Sequence, residues 1–249
     1  MENPLVSVII PSHNRFEGLL LALESISKQS LTDYEIIIIN DGSDDERYLN
    51  YNFDKDIKVV HLNKNSVDEK GYFSDSIRNY GIEKAKGKYI AFLDDDDYWF
   101  SNKLEVQINK LESSNYKMTC SDAIADFGEY SAKNINYPYN QKILFNEISQ
   151  IYKQSRIKNS FQKKRIYKFD FPEIWDFNFL KVHNCIITSS IVVERSLLNK
   201  IGNFRDIQNN KLYSDYDCWL GLLTHTELYY FKEPLLYYDL NSGMNIKTL

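Results

Sequence analysis

Cysteine is scarce in this chain of 249 residues. Cys120, Cys185 and Cys218 are odd in number, widely spaced and without a C-x-x-C pair. That argues against a disulfide framework and a thiolate zinc site, and predicts buried, inert thiols in a reducing compartment. Long apolar runs are missing too: no stretch approaches the roughly 20 residues that span a bilayer, so no transmembrane segment is expected. Nor is there a basic excess. The formal net charge is −5 and the pI about 5.5, which argues against nucleic acid as a partner. Met1-Glu2-Asn3-Pro4 has no basic n-region, and the apolar run after it breaks at Pro11-Ser12-His13-Asn14. No secretory signal is therefore expected, and the cytoplasm is the default location. No internal repeat divides the sequence. What is present, 43% hydrophobic and 26% charged residues, is the balance of an ordinary globular protein long enough to bury a proper core.

Leu5 to Ile10 and Tyr34 to Ile39 are short β-branched runs that fit strands buried on both faces, as in a parallel sheet. Between them Asn14 can cap a helix whose Leu19, Leu20, Leu23 and Ile26 recur at helical spacing. This is a βαβ unit. Ile57 to Leu62 reads as a third strand, Ser74 to Lys86 as a helix stopped by Gly87, and Lys88 to Leu93 as a fourth strand. The alternation predicts a doubly wound, mainly parallel α/β sheet with its ligand crevice outside the strand C-termini. Three polar clusters fall at such ends: Pro11–Asn14, Asn40–Ser43 and Asp94–Asp97. Further on, Asn102 to Leu111 reads as a helix, Met118 to Cys120 and Cys185 to Val193 as strands, and Ser196 to Ile201 as a short helix. Ser214 is a plausible N-cap for a helix with Asp215 and Asp217 in its first turn, where they could simply complement the helix dipole. Leu228 to Phe231 and Leu235 to Tyr238 read as two short strands around Pro234.

The fourth strand ends in Asp94-Asp95-Asp96-Asp97-Tyr98-Trp99. Four adjacent carboxylates repel one another unless something positive sits among them. The economical reading is a divalent metal, Mn²⁺ or Mg²⁺, held by a few carboxylate oxygens together with substrate phosphates. A solvated acidic turn is the plain alternative.

Asn134 to Phe179 is different in character. A basic run (Lys153, Arg156, Lys158, Lys163, Lys164, Arg165, Lys168) is interleaved with Tyr152, Phe161, Tyr167, Phe169, Phe171 and Trp175. A variable insertion with a solvated basic face is the favoured reading. Contact of 151–171 with an acceptor, or with anionic lipid at the inner face of a membrane, is left open.

Taken together, several segments resemble the family 2 glycosyltransferases, which have the GT-A fold. Val6-Ser7-Val8-Ile9-Ile10-Pro11-Ser12-His13-Asn14 is similar to their opening, and Ile38-Ile39-Asn40-Asp41-Gly42-Ser43 to their second-strand motif. Ile77-Arg78-Asn79-Tyr80-Gly81-Ile82 and Lys86 through Asp97 resemble the core signature. Thr188-Ser189-Ser190, Ile201-Gly202-Asn203-Phe204 and Ser214 through Leu220 resemble the acceptor-side half. The resemblance implies one GT-A domain over 1–249: a nucleotide-sugar half (1–122), a variable insertion (123–182) and an acceptor-side half (183–249). It implies inverting transfer of a hexosyl or N-acetylhexosaminyl group from a nucleotide diphosphate, UDP by family weight, to a hydroxyl of a saccharide or lipid-linked saccharide, in bacterial-type polysaccharide or glycolipid synthesis. By position, Pro11, His13, Asn14, Asp41 and Arg78 would lie on the nucleotide side and Asp95 on the ribose. Asp94 and Asp96 would hold the metal, and Asp215 would be the catalytic base, with no unusual pKa. Asp97 is left without a role.

Two residues depart from the pattern. Ser214 stands where many members have Glu, removing a second carboxylate beside the base. Asp239 stands where Arg often follows the tyrosines, which puts a phosphate-binding role there in doubt. Two other functions compete: a phosphatase of the haloacid dehalogenase type, whose nucleophile motif is also an apolar strand ending in D-x-D, and a non-catalytic sugar-nucleotide-binding domain.

Overall fold

The computed structural model describes residues 3–66, 75–131, 138–144, 171–206 and 214–241. In chain order its main elements are β1 (Val6–Ser12), α1 (Phe16–Ser27), β2 (Tyr34–Asn40), α2 (Arg47–Asn50) and β3 (Ile57–His61). A 3-10 turn at Asp75–Ile77 then runs into α3 (Arg78–Lys84), followed by β4 (Tyr89–Phe92), β5 (Tyr98–Trp99), α4 (Lys103–Glu112) and β6 (Met118–Asp126). The rest are β7 (Ile174–Trp175), α5 (Phe177–Leu180), β8 (Val192–Glu194), α6 (Arg195–Ile201), α7 (Ser214–Leu222) and β9 (Leu228–Asp239). The fold is mixed α/β with helices on both faces of one sheet, in the order β3-β2-β1-β4-β8-β6-β9-β5, with β7 also on β9.

The half β3-β2-β1-β4 is parallel throughout, with Val6 opposite Tyr34 and Tyr89 at one end and Ser12 opposite Asn40 at the other. β8 then runs antiparallel to β4 and β6, while β9 lies parallel to β6. The apolar runs have a physical reason. Val8, Ile9, Ile10, Ile37, Ile38 and Ile39 are fully buried because the sheet is covered on both sides. Ile9, Ile37, Ile39, Ile90 and Phe92 pack against Ile82, Leu197, Phe204 and Trp219. Val8, Ile10, Ile38 and Ala91 pack on the other face against Phe16, Leu19, Ile26, Leu104 and Ile108. Each such side chain contributes about 1.5–3 kcal/mol of burial, which fixes the strand ends where the polar clusters emerge.

Several expected elements differ. The helix read from Ser74 to Lys86 is shorter, 3-10 at first and α-helical only over Arg78–Lys84. Gly87 does not stop it in a left-handed cap. It is needed because a Cβ there would lie 2.5 Å from the Ser7 backbone nitrogen. Asn14 does not cap α1. It sits at φ 52° and its Oδ1 accepts from the N–H groups of Asp44 (2.9 Å) and Asp45 (3.3 Å), tying the end of β1 to the loop after β2. The strand read over Cys185–Val193 is mostly irregular, with a 3-10 turn at Thr188–Ser190 and pairing only over Val192–Glu194. β6 runs on to Asp126, and the two strands read around Pro234 are one, β9, which shifts register where Asp122 meets Pro234. Phe171, Trp175 and Phe179, read as insertion, are core residues: Trp175 stacks on Tyr230, and Phe171 and Phe179 pack against Trp175. The basic run Lys153–Lys168 lies outside the described residues. All three cysteines are free and buried, and burial pushes their thiols upward.

Candidate active site

The acidic loop is a tight turn pinned to several elements. The Leu93 N–H donates to Ile9 O (3.1 Å), the Asp94 N–H to Ser189 Oγ (3.0 Å), and the Asp97 N–H back to Asp94 O (3.1 Å). α1 presses on it where Gly18 faces the Asp95 carbonyl, at a distance that a Cβ would reduce to 2.3 Å. The four carboxylates then separate by partner. Asp94, partly buried, is ion-paired with Arg78. Asp95 is buried, accepts from Ser12 Oγ (2.6 Å) and lies 3.4 Å from Arg15 Nη1. Burial pushes its carboxyl up to about 7. Asp96 takes Arg15 Nη1 at 2.5 Å. Asp97 is 2% exposed. Its Oδ1 accepts the Asp239 N–H (3.1 Å), and burial with Asp96 and Asp94 nearby drives its carboxyl well up. Asp239 in turn accepts from the N–H groups of Gly128 (2.9 Å) and Asn241 (2.8 Å), so it pins the end of β9.

At the ends of β1 and β2 the structure brings Pro11, His13, Asn14 and Asp41 together. His13 Nδ1 lies 2.8 Å from Asp41 O. The Asp41 carboxylate is buried and oriented from beyond β3: it accepts from the Ser66 N–H (2.9 Å), Ser66 Oγ (2.7 Å) and Asn65 Nδ2 (3.3 Å). Arg78 is not in that cluster. It lies 4% exposed beneath the acidic loop, clamped between Asp75 and Asp94.

Asp215 stands in the first turn of α7. Its Oδ1 accepts the Tyr216 N–H (2.6 Å), and Asn184 Nδ2 is 3.4 Å from its Oδ2. Burial first and the Asp75 charge second raise its carboxyl to about 7, so the expectation of an ordinary pKa is corrected. Ser214 is not the N-cap. Asp75 Oδ2 accepts the Asp215 N–H at 3.1 Å and Ser214 Oγ at 2.7 Å. The acids at the end of β4 and the acid opening α7, far apart in sequence, are thereby joined through Asp94–Arg78–Asp75–Asp215.

The donor set suits a hard cation. Asp94 and Asp96 offer only oxygen, and Asp97 beside them is a third, buried carboxylate. Among the described residues no three His, Cys, Asp or Glu side chains form a cage. A cavity of about 440 Å³ opens beside the loop, lined by Arg15, Arg47, Asp96, Tyr130 and Asp239, among others.

The model of glycosyl transferase family 2 matches residues 7–177. The chain belongs to this family. An uncharacterized glycosyltransferase of Rickettsia bellii is 40% identical over 128 residues, 50% of this chain and 18% of the relative. An Escherichia coli protein named UDP-Glc:alpha-D-GlcNAc-diphosphoundecaprenol beta-1,3-glucosyltransferase WfgD is 31% identical over 155 residues, 59% of this chain and 56% of the relative. Among solved structures, S. aureus TarS matches with a TM-score of 0.62 at 17% identity, covering 94% of this chain and 36% of TarS. TarS 1-349 was also solved in complex with UDP-GlcNAc; it matches with a TM-score of 0.57 at 17% identity, covering 94% of this chain and 58% of that one. The likeness to TarS shows the fold, and the chain spans less than two thirds of each relative's own length. The GT-A expectation is met, and membership of glycosyl transferase family 2 argues against the phosphatase alternative. No helix among the described residues is long and apolar enough to cross a membrane.

Family membership leaves several residues for the structure alone to find. Arg15, Ser12, Asn65, Ser66, Asn184 and Asp75 all touch the site residues, and none stood out in the sequence. Asp75 carried one usable signal, its i,i+3 spacing to Arg78. The others are ordinary polar residues whose partners lie on different elements.

Proposed function

We propose that this family 2 enzyme transfers a sugar, with inversion, from a uridine diphosphate donor to a hydroxyl of a lipid-linked saccharide. The observation that carries the reading is the continuous chain Asp94–Arg78–Asp75–Asp215, which links a candidate base to a strand-end acid cluster whose oxygens could hold a diphosphate through a divalent cation. Pro11, His13, Asn14 and Asp41 would form the base and ribose end, with Asp41 held by Ser66 and Asn65 in one orientation, able to accept from a pyrimidine N3–H. Asp95, in reach of Ser12 and Arg15, would take the ribose. Asp94 and Asp96 would hold Mn²⁺ or Mg²⁺, which when bound supplies charge stabilisation for the diphosphate leaving group. Arg78, with two partners and almost no exposure, is better placed to neutralise Asp94 and Asp75 than to touch the nucleotide. Asp215 would take the proton of the acceptor hydroxyl as it attacks the anomeric carbon from the face opposite the diphosphate, and one displacement from that face inverts the centre. The lipid-linked acceptor is suggested by the name of the E. coli relative, and the UDP donor by that name and by the TarS complex.

A panel of nucleotide sugars with Mn²⁺ or Mg²⁺, scored by melting temperature, tests the donor. Ligand at about 100 times its Kd stabilises by about 2.7 kcal/mol, an easily read shift. UDP-sugars are expected to give the largest shift; a shift with adenine dinucleotides and with no nucleotide sugar would sink the proposal. The pH dependence offers a second check. A base is active when ionised, so a carboxyl near 7 loses activity as the pH falls below that value. At saturating donor, kcat is expected to fall about tenfold per pH unit on the acid side. A rate flat from pH 5.5 to 8 would remove Asp215 from the role.

A further inference from the structure

Ser214 leaves the chain without the carboxylate that many family members carry beside the base. The fold returns one from the other half of the molecule. Asp75, 139 residues before Ser214, is 7% exposed and stands in the 3-10 turn that opens α3. Its Oδ2 accepts from Ser214 Oγ (2.7 Å) and from the Asp215 N–H (3.1 Å), while its own N–H donates to Ser214 Oγ (2.8 Å). Its Oδ1 is held by Arg78, which holds Asp94 with its other arm. A helix start leaves N–H groups unsatisfied and favours negative charge, and most helices answer with a side chain of their own N-cap. Here the cap is supplied by a residue fixed to the donor half.

We propose that Asp75 is the positioning residue for Asp215: it caps α7 from across the site and locks the candidate base to the Arg78–Asp94 side of the acidic loop. Ser214 and Asp75 then form a matched pair. A hydroxyl at 214 can both donate to and accept from Asp75, whereas a glutamate there would set a second carboxylate against it. The role deepens the reading of Asp215 as the base and rests on it for its catalytic meaning. Among the described residues, the charges acting on Asp215 are those of Asp75, which disfavours its ionised form, and Arg78, which favours it; the Cys218 thiol farther along α7 is kept neutral by burial.

The test uses the whole chain and two readouts that need no substrate: hydrogen exchange at the Asp215 amide, and the ionisation of Asp215 followed by its carboxyl ¹³C shift. Asp75→Asn is expected to speed exchange there about tenfold or more and to move the Asp215 ionisation downward, because the opposing charge is gone. Ser214→Ala, which keeps the charge and removes the hydroxyl link, should speed exchange and leave the ionisation largely in place; it serves where Asp75→Asn does not fold. The exchanged pair Asp75→Ser with Ser214→Glu should slow exchange again. Unchanged exchange in both Asp75→Asn and Ser214→Ala would overturn the proposal, as would an upward move of the ionisation in Asp75→Asn. Full transfer activity in Asp215→Asn would instead overturn the base assignment while leaving the cap results standing, so the two failures are distinguishable.

Discussion

Asp215→Asn is expected to lower transfer by about 10²–10⁴-fold, the usual size of a lost general base, while UDP binding with Mn²⁺ stays within a few-fold of the unmutated enzyme. The substitution is nearly isosteric, and its amide oxygen can still accept the Tyr216 N–H that Asp215 Oδ1 accepts now. The Asp215 N–H remains free to donate to Asp75, so α7 should start where it does. Removing a negative charge next to Asp75 also relieves a repulsion, so the melting temperature should hold or rise slightly. The measurement pairs UDP release at saturating donor and acceptor with calorimetric UDP affinity. Loss of affinity together with rate would mean that this carboxylate serves the donor, and an unchanged rate would mean that it serves neither.

The parts of the site visible from sequence are those whose chemistry is concentrated in one stretch. β1, β2 and β4 had to be continuous apolar runs because they are covered on both faces, so their polar ends stood out, and Asp94–Asp97 could not be mistaken for packing. Sequence order says nothing about which carboxylate meets which cation. The family resemblance puts Arg78 on the nucleotide side, whereas the fold buries it under the acidic loop. Ser214 looked like a cap because serine before a helix usually is one, but the tertiary partner Asp75 supplies the carboxylate that accepts the Asp215 N–H. Asp215 looked ordinary because burial and a neighbour 140 positions away are what raise it. Asp97 had no legible role because its anchor is the backbone of Asp239, at the far end of the described chain. β9 was split in two because Pro234, an ordinary strand-breaker, is accommodated here at a shift in register.

Arg78→Met should be the most destabilising substitution in the site. The side chain is 4% exposed and carries the cation between Asp75 and Asp94, so an apolar chain of similar length leaves the buried Asp75 and the partly buried Asp94 without their cation. Breaking a buried pair from one side costs about 3–5 kcal/mol, a large share of a typical domain's stability. The loss has a specific signature. Adding Asp75→Asn to Arg78→Met removes one of the orphaned charges, so the double variant should be more stable than Arg78→Met alone, although each single change destabilises. Chemical denaturation of the unmutated chain, the two single variants and the double variant closes the cycle, and a coupling of about 0.5–3 kcal/mol is the expected size for groups in one network. Additive losses would show that Arg78 and Asp75 act independently. The link between the acidic loop and α7 would then have to run through the Ser189 contact with the Asp94 N–H rather than through the buried ion pairs.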